Sequence, residues 1–171
     1  MFLRSSSATQ RNMQMLGHKR DVNNIAQMKY LLETPLKGTI GLQKYETTIH
    51  WRNGVFITDE PEKLGGRDLG PDPYTLLLSS LVGCTLATLR MYIDHKGLAV
   101  SEIEVQANIF YKIEDKASAA YMERKIIFRE PLDQDIEERL LRVAENCPIS
   151  KLLKGNINIS TELIKDESIV E

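Results

Sequence analysis

Among the 171 residues, two cysteines, Cys84 and Cys147, are the side chains best suited to covalent chemistry. A thiolate attacks electrophiles that a thiol leaves alone, and two thiols in one chain can pass from sulfenic acid to disulfide and back by exchange with an external dithiol. Such chemistry needs a cation, a helix start or a hydrogen-bond donor to lower a thiol pKa. No basic residue lies within a helical turn of Cys84, so any activating charge must arrive from elsewhere in the fold. Both cysteines also have apolar neighbours, and small buried hydrophobes are an equally open reading of them.

Other chemistries find little support. His18, His50 and His95 stand far apart and share no metal-ligand spacing with the cysteines, so no metal is expected. The phosphate-loop, dinucleotide-binding and nucleophile-elbow signatures are missing, and no cofactor is expected. Asp59, Glu60 and Asp68 lie in a polar loop, where carboxylates serve as caps and turn residues more often than as acids or bases. A formal net charge of -2 excludes the strong basic field of a non-specific nucleic-acid binder. Two cysteines in a chain this long make no disulfide framework, which points to reduced thiols and a cytoplasmic location.

The elements that position the cysteines follow from pattern. Apolar residues at 42% and charged residues at 27% are ordinary for a globular chain of one domain. The first twenty residues carry Arg4, Arg11, Lys19 and Arg20 and no acid, the composition of a transit peptide but without its amphipathic stripe; residues 1–36 are read as a weakly ordered tail or extension. Gly38 to Tyr45 and Glu46 to Ile57 read as short strands with a hairpin turn at Asn53 and Gly54. Asp59 to Pro73, with three prolines and three glycines, is a shaped loop.

Asp72 caps a helix whose first residue is Pro73, and Gly97 stops it. Gly83 is a candidate kink. The helix is apolar all round, which predicts burial on most sides, and its uncharged run from Pro73 to Leu89 is read as a helix inside protein rather than a membrane span. Ile103 to Tyr111 alternates as a half-buried strand, and Met122, Ile126 and Phe128 continue the pattern beyond a loop at Glu114 to Ala120. Asp133 opens a helix whose stripe of Ile136, Leu140, Val143, Ala144 and Cys147 points Cys147 inward. Pro148 disturbs that helix, and Ile157, Ile159, Thr161 and Leu163 predict a closing strand. This order is α+β.

The run GPDPYTLLLSSLVGCTLATLRMYIDHKG, Gly70 to Gly97, resembles the OsmC/Ohr family of thiol-dependent redox proteins. DEPEKLGG, Asp59 to Gly66, is similar to the loop before the central helix in the OsmC-like branch, and RLLRVAENCPISKLLKG, Arg139 to Gly155, to the helix that presents the second cysteine ahead of a proline. The resemblance implies one OsmC-like domain over residues 37–171. Its antiparallel sheets would wrap a long central helix and a second, cysteine-bearing helix in an intertwined homodimer, with sites at the subunit interface.

It further implies that Cys84 is the peroxidatic cysteine and Cys147 the resolving one, in a stress-response peroxidase that reduces organic hydroperoxides and is regenerated by a dithiol. The family's glutamate near the helix start is replaced by Tyr74 and Thr75, and Ser150 replaces a histidine that often follows the second cysteine. Its arginine has no counterpart by motif, with Arg52 and Arg67 as loose candidates. The rival expectations are a non-enzymatic homodimer that senses redox state or binds a small apolar molecule, and a structural protein with two inert cysteines.

Overall fold

The computed structural model describes residues 29–114 and 117–164. The tail expectation falls largely on residues 1–28, outside the described ones. The chain divides into compact units at 1–35 and 36–171, and residues 29–35 of the first contain no helix or strand. The second unit is α+β, with β1 (Lys37–Ile40), β2 (Thr47–Trp51), β3 (Gly54–Thr58), a 3-10 turn (Glu62–Leu64), α1 (Pro73–Lys96), β4 (Ile103–Glu114), β5 (Ala117–Phe128), α2 (Gln134–Glu145) and α3 (Pro148–Lys154).

The strands form two antiparallel sheets, β1-β2-β3 and β4-β5. In the first, Trp51 pairs with Gly54, so Arg52 and Asn53 form the turn and Gly54 already belongs to β3. Neither turn residue has positive φ, so this is not the mirror-image turn that an Asn-Gly pair favours. In the second, Ile103 pairs with Phe128 and the register runs without a slip to Glu114 and Ala117. The expected loop at Glu114 to Ala120 is therefore much shorter: Ala117 to Ala120 pair as strand, although alanine and serine carry little strand signal of their own.

Helix α1 has the expected ends. Asp72 Oδ1 accepts from the amides of Tyr74 and Thr75 at 2.8 and 3.1 Å, and Gly97 stops the helix with φ 62. The helix runs through Gly83 without a break. Burial on most sides does not hold within one chain: the buried residues are Leu81, Thr85, Leu89 and Ile93, one stripe at four-residue spacing, while Met91 is 72% exposed. The reason is coverage, since the neighbours packed along α1 (β4, α2 and α3) leave its other faces open. By length and composition α1 would also suffice to cross a membrane.

The core gathers Leu89, Ile93, Val100, Leu140 and Ala144, with Ile103, Ile126 and Phe128 packed against it. Leu89 and Leu140 are completely buried, and truncating either to alanine would cost about 2–5 kcal/mol. The expected closing strand is absent: residues 157–163 contain no strand, and Ile159 and Leu163 are 87% and 91% exposed. Their alternation is real, but among the described residues no sheet edge pairs with them.

Asp59, read from sequence as a cap or solvated turn residue, is buried. Its carboxylate accepts from the amides of Tyr45, Glu60, Arg67 and Leu69 and so gathers the loop before α1. Burial pushes its pKa up, but these hydrogen bonds outweigh burial and leave it below the usual range. The loop is tight enough to require glycine: a Cβ at Gly66 would stand 1.9 Å from the carbonyl oxygen of Glu60, and one at Gly70 2.2 Å from that of Ile57.

Candidate thiol site

Cys147 faces the interior as its stripe predicts, but from the corner between α2 and α3 rather than from within a helix. Its amide donates to the Ala144 carbonyl, its own carbonyl accepts from Lys151, and Pro148 opens α3 as first residue. The side chain is completely buried. Its Sγ accepts from the Ser150 amide at 3.4 Å and lies 3.1 Å from Ser150 Oγ and 3.7 Å from Thr85 Oγ1.

Cys84 is half-buried on α1, immediately before Thr85. Thr85 has its hydroxyl 3.7 Å from Cys147 Sγ, and the Cys84 side chain itself helps to lower the Cys147 pKa, so the two sequence-predicted residues lie near each other, both as free thiols. Burial pushes the Cys147 pKa up, but hydrogen bonds from the Ser150 hydroxyl and amide, Thr85 and Cys84 outweigh it and bring the thiol down to about 7.

The cation that sequence reasoning missed is Arg124. Its Nη1 donates to Thr85 Oγ1 at 2.7 Å and to Ser150 Oγ at 2.9 Å, and stands 4.0 Å from Cys147 Sγ. One guanidinium nitrogen carries two hydrogens, and the two hydroxyl oxygens use both. Arg124 therefore acts on the sulfur as a nearby charge and through the hydroxyls it holds. The Ser150 oxygen accepts from Arg124 and from the Cys147 thiol, and once the sulfur is an anion that can only accept, the serine proton is the one left to turn toward it. Thr85 donates its own proton to the Leu81 carbonyl at 2.7 Å.

A signal for Arg124 did exist in the sequence. It shares the strand face of Met122, Ile126 and Phe128, where an arginine interrupts an otherwise apolar stripe, and across the ladder it meets Ala107.

The loose candidates stand elsewhere. Arg67 pairs with Glu46, and Arg52 is an exposed turn residue; neither bonds to a cysteine. At the helix start, Thr75 Oγ1 donates to Asp72 at 2.6 Å. The hydrogen bond of the Tyr74 phenol to Tyr111 is the main cause of its raised pKa. Among the described residues Arg124 has no carboxylate partner; its partners are the two hydroxyls and the sulfur. No group of three His, Cys, Asp or Glu side chains among them is arranged to hold a metal ion.

Beside this cluster a cavity of about 1110 Å³ opens between β5, α2 and α3. Leu81, Met122, Ile126 and Phe128 give it apolar walls, Glu137 and Glu138 line its α2 side, and Arg124 and Ser150 also line it. Neither sulfur is among its lining atoms.

No curated protein matches the sequence. Solved structures do match the fold. An organic hydroperoxide resistance protein OsmC from Legionella pneumophila has a TM-score of 0.57 and 20% identity over 75% of this chain and 93% of that one. An OsmC-like protein from Mycoplasma pneumoniae gives 0.59 and 19% over 75% and 89%, and the organic hydroperoxide resistance protein OhrB of Bacillus subtilis 0.54 and 19% over 74% and 94%. The family model described as OsmC-like protein matches residues 65–162, a stretch that holds both cysteines, Thr85, Arg124 and Ser150, and with more than half of its length matched the chain belongs to that family.

Proposed function

We propose that the protein is a thiol-dependent peroxidase that reduces organic hydroperoxides with Cys84 and Cys147. The observation that carries this reading is the pair of free thiols, Cys84 half-buried next to Thr85 in the chain and Cys147 buried against Thr85, Ser150 and Arg124. The half-buried Cys84 is the sulfur that meets peroxide. As it attacks the O–O bond its proton passes to the Cys147 thiolate, and the alkoxide leaves as an alcohol after taking a proton from solvent. Cys147 then attacks the Cys84 sulfenic acid, forming the disulfide and releasing water, and an external dithiol restores both thiols. Two solved structures of this fold are of proteins named for organic hydroperoxide resistance, which supports the substrate class.

A homodimer belongs to the same reading. The open faces of α1 and the unpaired apolar segment at 157–163 are surfaces that a second copy would cover. The large cavity supports a second reading, a redox-sensing or ligand-binding dimer without turnover. Stopped-flow reduction of cumene hydroperoxide, with Cys84→Ser and Cys147→Ser as controls, separates the two. Turnover that needs both cysteines is expected, and stoichiometric binding without oxidation would favour the second.

A further inference from the structure

Resting on the reading of Cys84 and Cys147 as a redox pair, we propose that their disulfide is opened in one direction. The reducing dithiol attacks Cys84, and Cys147 leaves as a thiolate held by Ser150 and Arg124.

Thiol–disulfide exchange is governed by which sulfur can be reached and which makes the better leaving group. Here both criteria select the same polarity. Cys84 is half-buried on α1, whereas Cys147 is completely buried. A nucleophile must reach the sulfur it attacks, and Cys147 offers it no exposed surface.

The leaving group is favoured on the same side. Negative charge on Cys147 Sγ meets the Ser150 amide at 3.4 Å, the Ser150 hydroxyl at 3.1 Å and the Arg124 cation at 4.0 Å. Cys84 receives no such set of donors among the described residues. Arg124 is a positioning residue in this scheme: by occupying Ser150 Oγ as a donor at 2.9 Å it leaves the hydroxyl proton free for the departing sulfur. Burial pushes the Cys147 pKa up, and the Ser150 hydroxyl and amide are the first of the donors that bring it down.

The step balances. One thiolate of the dithiol forms an S–S bond to Cys84 as the Cys84–Cys147 bond breaks, and Cys147 takes the electron pair. The second thiol of the reductant then closes on its own sulfur, releasing Cys84, which is protonated. The dithiol is oxidised to its disulfide and the protein gains two hydrogens.

The test leaves hydroperoxide out, so its failure and that of the peroxidase reading are distinguishable. The full chain is oxidised with diamide, pulsed with 2-mercaptoethanol, quenched in acid, alkylated with N-ethylmaleimide and mapped by peptide mass spectrometry. The mercaptoethanol adduct is expected on Cys84 in about tenfold excess or more over Cys147. Equal adducts, an adduct on Cys147, or no intramolecular disulfide after diamide would overturn the proposal.

A second measurement follows thiolate ultraviolet absorbance against pH in a Cys84→Ser background, where Cys147 alone titrates. Arg124→Gln is expected to raise the midpoint by about one pH unit, and Arg124→Lys to restore part of that shift. An unmoved midpoint in a folded Arg124→Gln variant would overturn the part assigned to Arg124.

Discussion

Arg124 Nη1 donates to Ser150 Oγ at 2.9 Å, and that hydroxyl stands 3.1 Å from the Cys147 sulfur. The serine thus relays a strand-borne cation to a thiol between two helices, and the relay has a consequence for stability. Cys147 titrates near pH 7 in the folded chain and near the ordinary thiol value of about 8.5 when unfolded. A depressed folded pKa adds stability that is complete above the unfolded value and is lost as pH falls through the folded one.

Reduced protein should therefore gain on the order of 2 kcal/mol between about pH 7 and 9, read from urea midpoints under reducing conditions. Cys147→Ser should flatten that rise, and Ser150→Ala should reduce it while leaving the backbone donor in place. A pH-independent midpoint across this window would remove the thiolate assignment.

The loop before α1 depends on Asp59, which accepts from the amides of Tyr45, Glu60, Arg67 and Leu69. Asp59→Ala would leave those donors in a tight loop without their acceptor. A melting temperature well below that of an exposed control such as Glu62→Ala is expected. Because the Asp59 pKa lies below the usual range, its contribution persists into mild acid and falls only as pH drops toward that lowered value. Thermal melts across the acid range check the order of loss.

Much of this was legible from local chemistry. Asp72, Pro73 and Gly97 set the ends of α1 through capping, which depends on near neighbours alone, and four-residue phase turned Cys147 inward. Arg124 escaped because its role depends on two long-range facts: the β4-β5 register that places it opposite Ala107, and the packing of that sheet face toward Thr85 and Ser150. Ser150 was noticed as a substitution for a histidine, yet its donor role needed the turn at Pro148 to bring its hydroxyl back to the sulfur. The segment at 157–163 failed for the opposite reason: its alternation suits a strand, but pairing needs an edge, and none among the described residues meets it.

Association should be visible directly. Met91 is 72% exposed in the C-terminal part of an apolar helix, and Ile159 and Leu163 are more exposed still. Sedimentation velocity at micromolar concentration should give a species of twice the chain mass, and Met91→Arg should shift it toward monomer if the open faces of α1 are what the second copy covers. A wild-type monomer would remove the dimer reading.

The final prediction concerns oxidation itself. Cys84 and Cys147 come from α1 and from the α2–α3 corner, distant in sequence, yet Thr85, the residue after Cys84, stands 3.7 Å from the Cys147 sulfur. On the proposed reading the two sulfurs close to a disulfide, and Pro148 marks a corner where α2 has already ended. One equivalent of cumene hydroperoxide should therefore remove both free thiols from each chain and lower the mass by two hydrogens. Cys147→Ser should stop at a Cys84 sulfenic acid that dimedone captures, because the resolving sulfur is gone. Cys84→Ser should react far more slowly, since its remaining sulfur is buried. Two thiols still free in the wild-type chain after such treatment, with the fold intact by circular dichroism, would return the cysteines to the role of small buried hydrophobes.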